Sequence, residues 1–255
     1  MILGFDKFAY KLKIKKYCFL LGIKDYKINK DNTIDVNESI YLTNSWTRDA
    51  AKYSWDEKKQ KRWFRDKLPI KFGKVNGNFN ISGCFLKTLE GCPTYVGGNF
   101  DCSNNKNLES LEGSPKFVGG NYNASSCNIK SLKGISNNIG KLRHEGWQEH
   151  VNGNGVLNLS FNENLMDLID FPDFLKGNFS FRYCPVEEIL DLFDIGSVYH
   201  GAGNFDIKNE KIIHLINEYD VIQGKNIIED RLIDLYHTLD LEVPPSFNFK
   251  NYNLI

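Results

Sequence analysis

The sequence predicts an α/β repeat fold: a right-handed solenoid with a parallel β-sheet, closed by helices at both ends. Three observations carry this expectation. A strand-like segment opening on glycine recurs along the chain, successive copies start 21 or 22 residues apart over much of it, and helical apolar periodicity is confined to the two termini. A fixed period of this length marks units that bury their apolar side only by stacking on their neighbours.

The units read GNFNISGCFLKTLEG from Gly77, GNFDCSNNKNLESLEG from Gly98 and GNYNASSCNIKSLKG from Gly120. They continue with GVLNLSFNENLMDLID from Gly155, GNFSFRYCPVEEILD from Gly177 and, more weakly, GNFDIKNEKIIHLI from Gly203. SIYLTN (Ser39 to Asn44) is a degenerate earlier copy, which makes about seven units. Within each, an alternating pair such as Phe79 and Ile81, Phe100 and Cys102, or Tyr122 and Ala124 marks a short strand with one face inward. Leu157 with Leu159 and Phe179 with Phe181 extend the series. A second apolar pair follows: Leu86 and Leu89, Leu108 and Leu111, Ile129 and Leu132, Leu165 and Leu168, Val186 and Ile189. This is leucine-rich-repeat-like spacing, L-x-L-x-x-[N/C]-x-L, with aromatics replacing many leucines. Pro93, Pro115 and Pro172, followed by Val96, Val118 and Leu175, predict an extended return path. The paired glycines are expected to supply positive φ or tight turns.

Cys84, Cys127 and Cys184 occupy the [N/C] position in three units, and Asn105 and Asn162 occupy it in two. An inward Asn there satisfies loop backbone groups that stacking would otherwise bury unpaired. Six cysteines without a CxxC pair, with Cys102 on an inward strand position, are read as packing residues: six free thiols, no disulfide framework and no zinc.

LKTLEGCPTYVGGNFDCSNN and LESLEGSPKFVGGNYNASS resemble the short leucine-rich-like repeats of proteins from large tailed bacteriophages. YKINKDNTIDV before them and INEYDVIQGKNIIEDRL after them resemble the flanks of the same proteins, so the resemblance runs from about Tyr26 to Leu239. It implies the architecture and a phage setting, and it carries no catalytic residues with it.

Both ends of a stack need covering. Residues 1–36 are expected to form an N-terminal cap: Phe5, Phe8, Ala9 and Leu12 at i, i+3, i+4 and i+7 predict an amphipathic helix, and NKDN (Asn29 to Asn32) predicts a turn between two strands. Residues 37–207 hold the repeats and residues 208–255 a helical cap and tail. Ile212, Ile213, Leu215 and Ile216 suggest one helix there. Ile227, Ile228, Leu232, Leu235 and Leu239 suggest a second, separated from it by Gly224. After Pro244 and Pro245 the tail FNFKNYNLI is expected either to lie along an edge or to stay mobile.

Two insertions break the period, at 45–67 and 141–154, and they contain all four tryptophans. Trp and Arg concentrate at protein interfaces. The candidate partner-binding residues are therefore Trp46, Arg48, Tyr53, Trp55, Lys59, Arg62 and Arg65 in the first insertion, with His144 and Trp147 in the second. Packing of the same tryptophans over the stack is the competing reading. The run KKQKRWFR (Lys58 to Arg65) raises nucleic acid as a further, weaker alternative. His144, Glu145, Glu149 and His150 lack HExxH spacing, and a loop explains them better than a metal site.

Lys+Arg and Asp+Glu number 32 each, so bulk charge gives no grip on nucleic acid. No run of about 18 apolar residues suggests a membrane span, and the expected setting is cytoplasmic, in the host cell if the protein is phage-encoded. No phosphate loop, nucleophile motif or cofactor fingerprint is present. The expected function is non-enzymatic protein binding to a host or phage partner, with no cofactor. A structural virion component is the alternative.

Overall fold

The computed structural model describes residues 2–42, 66–140, 155–195 and 207–255. The chain opens with helix α1 (Ile2–Leu20), then an antiparallel pair, β1 (Tyr26–Ile28) and β2 (Ile34–Val36). Short strands follow: β3 (Ile40–Tyr41), β4 (Phe72–Val75), β5 (Phe79–Asn80), β6 (Tyr95–Val96), β7 (Phe100–Asp101) and β8 (Phe117–Val118). They continue through β9 (Tyr122–Asn123), β10 (Asn138–Ile139), β11 (Leu157–Asn158), β12 (Phe174–Leu175) and β13 (Phe179–Ser180). Helices α2 (Glu187–Asp191), α3 (Ile207–Glu218) and α4 (Glu229–Thr238) close the chain with the small strands β14 (Ile222–Gln223), β15 (Asn226–Ile227) and β16 (Asn253–Leu254).

The strands after β2 are dealt alternately into two sheets, ordered β1-β2-β4-β6-β8-β10-β12 and β13-β11-β9-β7-β5-β3. All pairings beyond the β1–β2 hairpin are parallel in both. The register equals the sequence alignment of the units: Ile40 opposes Phe79, Phe79 opposes Phe100, Phe100 opposes Tyr122, Tyr122 opposes Leu157 and Leu157 opposes Phe179. Every one of these side chains is buried, and so are all five second apolar pairs. The core is thus one continuous column running through the units.

The extended return path is more than a connection. Tyr95–Val96, Phe117–Val118, Asn138–Ile139 and Phe174–Leu175 pair into the second parallel sheet. Stacked units bury this segment too, and its backbone groups find partners only in the units above and below.

At the [N/C] position each side chain donates to the carbonyl of the preceding unit's strand end. Cys84 Sγ reaches Leu42 O (2.8 Å), Asn105 Nδ2 reaches Ile81 O (3.1 Å), Cys127 Sγ reaches Cys102 O (3.4 Å), Asn162 Nδ2 reaches Ala124 O (3.0 Å) and Cys184 Sγ reaches Leu159 O (3.1 Å). Turn length distinguishes the two residue types. Asn units run N-x-x-L and close their own turn, Leu108 N to Asn105 O and Leu165 N to Asn162 O. Cys units run one residue shorter, and in two of them the next Asn unit accepts the N–H left over: Leu86 N and Ile129 N donate to Oδ1 of Asn105 and Asn162 (2.9 and 3.0 Å).

Several expectations change. The Gly-Gly pairs are not left-handed: at Gly97 and Gly119 no positive φ occurs, and a Cβ on Gly119 would overlap the Gly97 carbonyl oxygen. Their role is close approach between units. Helix α1 forms, but Ala9 and Leu12 are exposed; the buried stripe is Ile14 and Cys18, flanked by the half-buried Tyr10, Tyr17 and Leu21. That stripe has the same helical spacing, rotated to the opposite face. The weak unit at Gly203 continues as helix from Ile207, with Ile212, Ile213 and Ile216 buried. Ile227 belongs to β15 and Ile228 caps α4, which starts only at Glu229. The tail takes the edge position: β16 pairs with β15, Tyr252 Oη donates to Met166 O (2.6 Å), and Glu188 accepts the N–H of Lys250 and Asn251.

Asn105→Ala leaves Leu86 N–H and the Ile81 carbonyl without their partner, and each buried orphan costs about 1–3 kcal/mol. Denaturant unfolding is expected to show a loss of more than about 2 kcal/mol. Asn105→Cys, although cysteine is common at this position, is expected to fail nearly as badly, because a thiol is a poor acceptor for Leu86 N–H.

Candidate functional site

The candidate partner-binding residues Trp46, Arg48, Tyr53, Trp55, Lys59, Arg62, Arg65, His144 and Trp147 lie outside the described residues. The described residues flanking the second insertion meet: a Cβ on Gly140 would lie 2.5 Å from Gly155 Cα, and both glycines have positive φ (80° and 69°). The two flanks of the second insertion therefore meet at Gly140 and Gly155.

The outward strand positions, where the sequence repeats small oxygen-bearing side chains at Asn80, Asp101, Asn123 and Asn158, are engaged in turn formation; Asp206, at the same position of the last unit, lies outside the described residues. In each of the first four the side-chain oxygen accepts the N–H two residues on, from Ser82 (2.9 Å), Ser103 (2.9 Å), Ser125 (3.2 Å) and Ser160 (3.1 Å). Asn and Asp mimic a backbone turn in this way, which explains their recurrence without a ligand. Ser180 departs from the pattern, buried and bonded to Ser160 (2.8 Å). Among the described residues no cluster of His, Cys, Asp and Glu has the makings of a metal site.

One position that the turns do require is left-handed: the residue before the [N/C] side chain. Gly83, Asn104, Ser126, Phe161 and Tyr183 occupy it with φ of 67°, 58°, 55°, 62° and 60°. Glycine and asparagine suit this conformation, whereas a bulky aromatic is strained in it. Phe161 and Tyr183 are nevertheless 51% and 67% exposed and stack on each other, ring centroids 4.6 Å apart and 21° from parallel. Strained, solvent-facing aromatics on adjacent units add nothing to the core, which makes the pair a candidate contact surface. Sequence reasoning missed them; the signal was a small, turn-favouring position switching to aromatics in its last two copies. The other sheet carries a second outward lane, Lys74, Tyr95, Phe117, Asn138 and Phe174, where Tyr95 and Phe117 stack at 4.9 Å and Lys74 Nζ sits 5.0 Å from the Tyr95 ring.

The cysteines offer no reactive centre. All six are free. Burial pushes the thiols of Cys18 and Cys127 up to about 11 and those of Cys84 and Cys184 to about 12; Cys92 and Cys102 are raised as well. No helix among the described residues is long and apolar enough to cross a membrane. No protein-family model, curated protein or solved structure matches the chain.

Two outcomes are expected. Native protein at pH 8 lies below every thiol pKa raised by burial, so alkylation is slow until denaturant is added, after which six groups titrate; rapid native labelling of Cys84 or Cys184 in a mass map contradicts this. Tyr183→Asn exchanges stacking worth about 0.5–1.5 kcal/mol for relief of left-handed strain of similar size. Its melting temperature is expected within a few degrees of the parent's, and a loss above about 2 kcal/mol makes the ring a structural one.

Proposed function

We propose that the chain is a right-handed leucine-rich-repeat-like solenoid, closed by helices at its two ends, that binds a protein partner and catalyses no reaction. The observation that supports this best is where the polar chemistry goes. Asn80, Asp101, Asn123 and Asn158 shape turns, while Asn105 and Asn162 hold one unit on the next. Asn78, Asn99 and Asn121 likewise accept backbone N–H groups of the following unit. The repeats thus serve as scaffold, and recognition falls to what stacking does not need: the two insertions and the exposed aromatics. Resemblance to repeats of tailed-phage proteins favours a partner in the infected cell, a host protein engaged in its cytoplasm.

The test is Trp55→Ala combined with Arg62→Ala, since aromatic and Arg anchors contribute 2 kcal/mol or more each at interfaces. Thermal unfolding is expected within a few degrees of the parent, while capture of the partner from host lysate weakens at least roughly tenfold. A collapsed fold assigns these residues to packing. Unchanged capture by a stable variant removes the first insertion from the binding surface.

A further inference from the structure

A net charge of zero hides a segregation along the chain. Among the described residues, 2–42 and 66–75 carry 11 Lys and Arg against 6 Asp and Glu, a net of +5, whereas 155–195 and 207–255 carry 7 against 16, a net of −9. Because strands pair in chain order, this separation along the sequence becomes one in space. Six inter-strand steps of about 4.8 Å set the two edges of the seven-stranded sheet about 29 Å apart. The C-terminal elements stay at the acidic edge, tied there by Asn217 Nδ2 to Leu168 O (2.8 Å), Tyr236 Oη to Leu192 O (3.2 Å) and Tyr252 Oη to Met166 O.

Each end also carries exposed apolar groups. On α1, Leu12 and Phe19 are 52% and 85% exposed, two turns apart and opposite the buried Ile14 and Cys18, with Lys15 and Lys16 exposed beside them. At the acidic end the stacked rings of Phe161 and Tyr183 face solvent beside the exposed Glu163. The Glu187 carboxylate takes the Tyr183 N–H (2.8 Å). Carboxylates crowd there: burial and then the charges of Glu187, Asp194 and Glu188 raise the Asp191 carboxyl.

We propose that copies of this chain associate, the Lys15, Lys16 and Phe19 face of α1 in one copy seating on the acidic aromatic surface of Phe161, Glu163 and Tyr183 in the next. A second copy is the occupant that matches both halves at once. Its basic end complements the acidic end in charge, and its exposed Leu12 and Phe19 complement the ring pair. The opposed charges orient the encounter, and the apolar contact fixes it. An anionic membrane would engage only the basic half and leave the strained rings without a role.

Sedimentation of the purified protein tests this separately from any host partner. The parent is expected to exceed monomer mass at about 25 mM salt and to fall to monomer near 500 mM, where screening is strong. Lys15→Glu with Lys16→Glu, and separately Glu163→Lys with Asp191→Lys, are each expected to be monomeric at low salt. Their equimolar mixture should associate again, since each repels itself and complements the other. Phe19→Ser is a second probe, removing the apolar anchor without touching charge, and is expected to weaken association at least roughly tenfold. A parent that stays monomeric at low salt overturns the proposal, as does a mixture no heavier than its components. Binding of a monomeric parent to anionic vesicles, lost in the Lys15→Glu, Lys16→Glu variant, assigns α1 to a lipid surface instead.

Discussion

The structure turns on one demand: stacking buries the carbonyl at the end of each inward strand, and something in the next unit must donate to it. The [N/C] side chain answers in every described unit, over Leu42, Ile81, Cys102, Ala124 and Leu159 in succession. The alternation of cysteine and asparagine then follows from turn length. A short Cys turn cannot close on itself, so the N–H of Leu86 or Ile129 is left for the following unit, and only an Asn there donates and accepts at once. Cys84 is accordingly followed by Asn105 and Cys127 by Asn162. Each unit is chemically incomplete alone, which ties the order of units as well as their shape to this single interaction.

The same closeness governs the other side of the unit. Gly98 N–H reaches Gly77 O (3.0 Å) and Gly120 N–H reaches Gly98 O (2.9 Å), while Asn78 Oδ1 and Asn99 Oδ1 take the N–H of Asn99 and Asn121. No side chain fits between such strands, so the paired glycines are a packing requirement. Two ladders of side-chain hydrogen bonds therefore run along the stack, one of thiols and amides at the [N/C] position and one of amides at Asn78, Asn99 and Asn121, and most of the repeated polar side chains are already engaged.

What was legible in the sequence is what acts identically in each unit. Burial selects the same position again and again, so Phe79, Phe100, Tyr122, Leu157 and Phe179 align by eye, and the sheet register repeats that alignment. The second sheet was less visible because several of its strands follow a proline (Pro93, Pro115 and Pro172), which reads as an extended return path, and the pairing of such a segment is imposed by its neighbours. Helix α1 shows the limit of periodicity: Ala9 with Leu12 and Ile14 with Cys18 are both helical spacings, and only the partner surface decides which face turns in. Phe161 and Tyr183 were missed because an aromatic in sequence is read as core, whereas a left-handed backbone turns both rings outward. The candidate site residues at 46–65 and 144–147 were legible only as departures from the period.

Charge is distributed by a different rule from burial. In the middle units opposite charges meet across neighbours, Lys130 with Glu109 (2.6 Å) and Lys133 with Glu112 (3.0 Å), and residues 76–154 carry 7 cations against 6 acids. Exposed pairs of this kind add little stability, but they cancel the field along the sides. Pairs form towards the ends as well, Lys67 with Glu90 and Arg231 with Asp220, but a net charge of one sign is left at each. A stack of pairing-competent strands has two edges at which further strands could add, and charge is one means of restricting what adds there. With one end basic and the other acidic, two like ends repel and only unlike ends meet. The polarity that chain-order stacking imposes on the fold thus becomes a polarity of recognition, without any single residue pair having to carry it.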